Sequence, residues 1–296
     1  MPIPALTVST AGRPGHPDTP TEDRAGHWLS PDGRLAIAVV ADGVTTTDTT
    51  TAPGGAAYAD ALVANILDLA QDPGTPLNRA LAGAIGVTAA QQHLKGPDRP
   101  GTTRQATAGL VRVRPGRTEV TVLGDCTVVL LRRDGLPPIV VTDPRLQAIT
   151  ATMPLRRRQH ERLTSGEGTI GDPEDRRLTA EIMRELEERV NRPDGYWVAG
   201  ALPKAGMRAV TATVETRDVT DILLATDGGA RSVDTYRIHT WSQVARMCRG
   251  GGPASVLDEI LRAGEADRCG RAAPRAKVHD DAMLTHIELP MGYSRC

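Results

Sequence analysis

Asp42, Asp227 and Asp280 each stand beside a tight-turn signal, in Ala41-Asp42-Gly43, Thr226-Asp227-Gly228 and Asp280-Asp281. Two further acidic signals accompany them, Glu22-Asp23 near the start and Gly124-Asp125 in the middle of the chain. A single Asp before Gly is a turn former, because Asp bonds its own backbone and Gly accepts positive φ. Recurrence at or beside the ends of apolar runs changes the reading. Folding brings strand ends together, and clustered carboxylates repel one another unless cations neutralise them. A ligand set made of carboxylate oxygens suits Mg²⁺ or Mn²⁺ rather than zinc. Asp42, Asp227 and Asp280 are therefore the catalytic candidates, as carboxylates placed to hold such cations.

The elements that must position them can be read from the pattern. Residues 35–42 (LAIAVVAD) are an almost unbroken apolar run, as expected of a strand buried on both faces, and would hold Asp42 rigidly at its end. Residues 54–70 place Tyr58, Leu62, Ile66 and Leu69 on one helical face, and a second helix is expected from Pro76 to about His93. Residues 106–142 read as an antiparallel meander with turns at Gly124-Asp125 and Asp134-Gly135. Residues 143–206 are polar and irregular apart from a helix near 174–190, and should sit outside the sheet. Strand character returns at 209–216, 221–228 and 282–289, with helical segments near 241–248 and 254–266. Blocks of strands and helices without strict alternation predict an α+β fold. Residues 9–20 are turn formers, so the chain is expected to begin with an irregular lead-in over 1–20, followed by a single domain over 21–290 and a tail over 291–296.

Composition excludes several classes. The 296 residues contain no Phe, and aromatic residues make up 2%, which argues against a stacking platform for single-stranded nucleic acid. A formal charge of -1 from 35 basic and 36 acidic residues gives no field to attract a polyanion, so no nucleic-acid partner is expected. Nothing resembles a signal peptide or a membrane span. Cys126, Cys248, Cys269 and Cys296 are far apart and form no C-x-x-C pair, which predicts free thiols in the cytoplasm.

In order and approximate spacing, Glu22-Asp23, ADG at 41–43, GDC at 124–126, TDG at 226–228 and DD at 280–281 resemble the metal-dependent protein phosphatase 2C family, and NRPDGYWVAGALP from Asn191 onward resembles a bacterial branch of it. The resemblance covers about residues 20–289. It implies a four-layer αββα sandwich of two antiparallel sheets flanked by helices, with residues 143–206 supplying a flap near the site. Carried over by position, Asp42 would bridge two Mn²⁺ or Mg²⁺ ions and the Gly43 carbonyl would bind one. Asp227 and Asp280 would hold the first ion, with Asp23 and Glu22 acting on the second. Asp125 with Asp227 corresponds to a weaker third position. Asp281 takes the place of the usual Asn and is expected to support its neighbours rather than bind metal. The implied reaction is hydrolysis of phosphoserine or phosphothreonine by a hydroxide bridging the two metals, without a phosphoenzyme.

The chain also departs from the family pattern. Val44-Thr45-Thr46-Thr47 follows Asp42-Gly43 where some members carry a His, leaving His279 as the nearest proton donor in sequence. The arginine expected just before the first acidic pair is missing, and Arg13 and Arg24 are stand-ins for holding phosphate. Cys126 replaces a Ser and is expected to pack without catalytic duty. The run Arg156-Arg157-Arg158 is either a solvated helix face or a site for a phosphorylated or acidic partner. Tyr196 and Trp197 are expected in the core. Three functions follow: a protein phosphatase, a phosphatase for a small phosphorylated metabolite, or a binding module of the same fold with weakened catalysis. The oligomeric state is not legible.

Overall fold

In a computed structural model, residues 6–44, 54–94, 104–133 and 135–293 are described. The apolar run ending at Asp42 forms strand β3 (Ala36–Val44), and its two sets of neighbours explain why it lacks polar alternation. Ile37, Val39 and Ala41 pack with helices α1 (Gly54–Leu69) and α2 (Leu77–Gln91), while Ala36, Ala38 and Val40 pack between two sheets. Such a strand has no face to give to polar residues.

One antiparallel sheet has the order β2 (Arg24–Leu29), β3, β4 (Gln105–Arg114), β5 (Arg117–Leu123) and β8 (Val210–Val214). The other has the order β1 (Thr7–Arg13), β10 (Ala282–Glu288), β9 (Val219–Ala225), β6 (Thr127–Arg132) and β7 (Ile139–Thr142). Helices α1 and α2 cover the first sheet, and α6 (Asp227–Asp234), α7 (Trp241–Gly251) and α8 (Pro253–Ala266) cover the second. Between the sheets, Val111, Val120 and Val122 meet Val128, Leu130, Ile222, Leu224 and Ile287, so small branched residues fill the core that contains no Phe. The architecture is the expected α+β sandwich of four layers. Among the described residues no helix is long and apolar enough to cross a membrane.

Several expectations are corrected. The lead-in is not irregular throughout: Thr7–Arg13 is an edge strand, paired from Thr7↔Glu288 to Arg13↔Ala282. Its short, polar stretch carries little pattern of its own, and the partner strand supplies the pairing. Strand β2 likewise precedes the run at 35–42 and pairs with it. The meander is split: β4 and β5 form a hairpin in one sheet and β6 and β7 another in the second sheet. Gly124-Asp125 therefore carries the chain from sheet to sheet instead of closing a hairpin, and Asp134 lies outside the described residues.

The polar segment 143–206 is mostly helical, with α3 (Arg145–Thr152), α4 (Pro154–Ser165), α5 (Pro173–Glu187) and a 3₁₀ turn at Pro203–Arg208. It runs from edge strand β7 to edge strand β8, outside both sheets, as expected. Pro154 and Pro173 open their helices, and the Asp172 carboxylate caps α5 by accepting the Asp175 N–H at 2.8 Å. The sequence concealed α3 and α4 because both expose mostly polar residues. The tail is corrected too. Tyr293 is 1% exposed and packs in the core between the sheets.

Candidate metal centre

Strand register brings the acidic signals to one end of the sandwich. Arg24 pairs with Ala41, which sets Asp23 beside Asp42, and Asp42 itself pairs with Thr107. In the other sheet Ala225 pairs with both Leu284 and Thr127, so the residues after β9, before β10 and before β6 meet. These are Thr226-Asp227, Asp280-Asp281 and Asp125. Sheet-to-sheet packing then joins the two groups: Thr226 Oγ1 donates to Asp23 Oδ2 at 2.7 Å across 203 positions of sequence. The same hydroxyl accepts the Met283 N–H at 2.9 Å, so Thr226 links β9, β10 and the start of β2.

Burial and mutual repulsion govern the charges. Burial pushes the Asp23 carboxyl up to about 8, opposed by the Thr226 hydrogen bond and reinforced by Asp227, Asp281 and Asp280. Burial, with the charges of Asp280 and Asp125, pushes Asp227 up to about 7. Asp42 is raised well above the carboxylate range by burial and then by Asp23, Asp227, Asp125 and Asp280. Asp125 is raised by burial as well. A hydrogen bond between Asp42 and Asp227 partly offsets the burial that raises the Asp227 carboxyl.

Two glycines permit this crowding. A Cβ on Gly43 would stand 2.7 Å from Gly55 and 2.8 Å from the Glu22 carbonyl, so only glycine lets the end of β3 pass between them. Gly124 has φ +77° and an added Cβ would lie 2.4 Å from Thr107, so the crossover before Asp125 also requires glycine.

The donor chemistry fits hard divalent cations. Asp23 Oδ1 and Asp125 Oδ1 are buried without a hydrogen-bond partner, beside two further carboxylates, an arrangement that costs free energy unless a cation compensates. Among the described residues no three Asp, Glu, His or Cys side chains converge to hold an ion. Asp280 is the member drawn elsewhere: Arg231 donates to its Oδ2 at 2.6 Å and Lys277 to its Oδ1 at 2.9 Å. Asp281 accepts the Gly15 N–H at 2.7 Å and the Glu22 N–H at 2.6 Å, which pins the loop carrying Glu22 and Asp23 to the start of β10.

Other candidates fall away from the centre. Arg24 extends to Asp60 of α1 at 2.5 Å and to the Thr21 and Asp23 carbonyls, and Arg13 pairs with Asp258 of α8 at 2.9 Å, so neither guanidinium is free for phosphate. Arg156, Arg157 and Arg158 do not form one patch. Successive helical residues point about 100° apart, and in α4 Arg156 bonds Gln159, Arg158 pairs with Glu174 and Arg157 is exposed. His279 Nε2 lies 2.6 Å from Glu265 of α8. Cys126 is fully buried against Thr107, and burial holds its thiol well above the ordinary range, so it is no nucleophile. Tyr196 and Trp197 are in the core, as expected. Thr45-Thr46-Thr47 and Cys296 lie outside the described residues.

The sequence reading missed Thr226, Arg231 and Lys277. Arg231 stands one helical turn after Asp227, a spacing that becomes informative once α6 is recognised. Lys277 precedes Asp280 by three residues in a loop without periodicity.

The sequence matches the family model described as protein phosphatase 2C over residues 15–262. No curated protein matches it. Among solved structures, the serine/threonine phosphatase PstP/Ppp of Mycobacterium tuberculosis is similar at 16% identity and TM-score 0.54, over 96% of this chain and 98% of that one. Serine/threonine phosphatase Stp1 of Staphylococcus aureus aligns at 11% identity and TM-score 0.55, over 97% and 96%. The PstP catalytic domain in complex with two manganese ions aligns at 17% identity and TM-score 0.53, over 96% and 97%. At these identities the likeness concerns the fold.

Proposed function

Since this chain belongs to the protein phosphatase 2C family, and is thus a metal-dependent serine/threonine protein phosphatase, we propose that Asp42, Asp227 and Asp280 with Asp23 hold its cations and that phosphorylated proteins are its substrates. The observation that carries the assignment is the pair of buried, unpartnered oxygens, Asp23 Oδ1 and Asp125 Oδ1, in one electrostatic cluster with Asp42 and Asp227. The Gly43 carbonyl and Glu22 complete the set, and Asp125 is the candidate for a third position. Two Mn²⁺ or Mg²⁺ ions suit carboxylates and carbonyls with no His or Cys among them. Bound there, the ions would supply a water acidic enough to act near neutral pH and would offset charge on the phosphoryl oxygens.

The remaining work belongs to the chain. Thr226 fixes the Asp23 carboxylate toward the cluster, Asp281 ties down the loop that carries Glu22 and Asp23, and the approach of Gly43 to Gly55 and Glu22 keeps the end of β3 in register. The described residues act as one unit, because β1 and Tyr293 both pack into the layers that position the cluster. A cytoplasmic location agrees with the free thiols of Cys126, Cys248 and Cys269.

The test is phosphate release from phosphoserine and phosphothreonine peptides and from a panel of phosphorylated metabolites, each with Mn²⁺, with Mg²⁺ and with chelator. Faster metal-dependent turnover of the peptides is expected. Turnover confined to metabolites would overturn the substrate assignment and leave the cation assignment standing.

A further inference from the structure

At the cluster, both carboxylate oxygens of Asp280 are taken by cationic side chains. Arg231 reaches Oδ2 at 2.6 Å and Lys277 reaches Oδ1 at 2.9 Å. The Arg231 side chain is only 9% exposed and that of Asp280 18%, so this pair is sheltered from solvent screening, whereas the Lys277 side chain is 61% exposed. Asp23 and Asp125 show the opposite state, each with a buried oxygen that meets no donor. Asp280 thus carries side-chain counter-ions that these two oxygens lack.

We propose that Arg231 and Lys277 are built-in counter-ions of Asp280 that compete with a divalent cation for its carboxylate, so that a cation depending on Asp280 is held more loosely than one held at the Asp23–Asp42 side. The proposal rests on the metal-site reading above. A cation approaching Asp280 meets two positively charged donors already at hydrogen-bond distance, while one approaching Asp23 or Asp125 meets an oxygen with no donor on it. Arg231 also reaches toward the Lys277 carbonyl at 3.4 Å, an acceptor it keeps when Asp280 turns to a cation. The arrangement makes occupancy of the Asp280 side respond to cation concentration after the other side has filled.

The experiment is isothermal titration of the metal-free full chain with MnCl₂, for the unaltered protein and for Lys277→Gln, Arg231→Gln and Arg231→Lys, with circular dichroism to confirm folding. Two unequal binding steps are expected in the unaltered protein. Lys277→Gln should tighten the weaker step roughly threefold, in keeping with a solvent-exposed pair, and Arg231→Gln by about tenfold, in keeping with a sheltered charged hydrogen bond. Arg231→Lys, which keeps the charge, should bind like the unaltered protein. Lys277→Gln changes an exposed side chain, so it decides the matter even where Arg231→Gln is unstable. An unchanged or weakened second step in Lys277→Gln would overturn the proposal while leaving the cation site in place. No Mn²⁺ uptake by any of the proteins would overturn both.

Discussion

Thr226 and Asp23 meet across the two sheets, the hydroxyl of one donating to the buried carboxylate of the other at 2.7 Å. Thr226 is the residue before α6, a position where a hydroxyl ordinarily caps the helix, yet here it makes no such bond. Its hydroxyl instead serves Asp23 and the Met283 N–H, which places a cluster contact where a helix contact would normally be.

Replacing Thr226 by Val keeps the shape but strands both partners. The metal-free protein should lose about 2–4 kcal/mol of stability, from two buried polar groups left unsatisfied. Urea unfolding in the presence of chelator measures this, and a loss smaller than about 0.5 kcal/mol would show that the bond is idle.

Stability of the metal-free protein should fall as pH rises from 5 to 8. Asp23, raised to about 8, and Asp227, raised to about 7, hold protons in the folded state that they release on unfolding, where the usual value is 3.8. The folded state thus binds more protons than the unfolded one across this window, and stability present at low pH is lost as pH climbs through the folded values. Asp221, paired with His286 and Arg249, is shifted downward, and its contribution fades only at more acidic pH. Thermal melts at pH 5, 6, 7 and 8 with chelator, then with Mn²⁺, should show a falling Tm that the cation restores most at pH 8. A Tm that rises over that range without metal would contradict the assignment of charge.

Asp281→Asn tests the tether. The carboxylate accepts two backbone N–H groups, from Gly15 and Glu22, whereas an amide would turn its NH₂ toward one of them. We expect a loss of about 1–3 kcal/mol and faster hydrogen exchange at the Gly15 and Glu22 amides, with exchange in α1 unchanged.

Cys126→Ser should leave phosphatase turnover within a factor of about two, because the buried thiol packs against Thr107 and takes no part in chemistry. Alkylating reagents should likewise fail to inhibit the folded protein through this residue. Loss of turnover in a folded Cys126→Ser protein would reopen the question of a nucleophile.

The sandwich was legible where one pattern governed both local and tertiary structure. The run at 35–42 has to be buried on both faces, and α1 shows its Tyr58, Leu62 and Ile66 stripe directly. What escaped was decided by partners distant in sequence. Thr7–Arg13 becomes a strand because Ala282–Glu288 pairs with it, and β5 and β6 part company because Gly124-Asp125 crosses between sheets, a choice that tight-turn residues do not encode. The acidic residues were recognisable one by one from their turns. Their counter-ions were not: Arg231 is disguised by a helix that opens on Asp227-Gly228-Gly229, and Lys277 by a loop. The arginine run at 156–158 misled for the opposite reason, since adjacency in sequence disperses side chains around a helix.

The most direct measurement is the number of Mn²⁺ ions bound per chain by calorimetric titration, comparing the unaltered protein with Asp42→Asn and confirming by circular dichroism that both are folded. Asp42 hydrogen-bonds Asp227 and feels the charges of Asp23, Asp125 and Asp280, so it sits where the two halves of the cluster join. Two ions are expected in the unaltered protein, with binding to both weakened by at least about tenfold in Asp42→Asn, as for loss of a shared charged ligand. Two ions bound with unchanged affinity by Asp42→Asn would contradict the account.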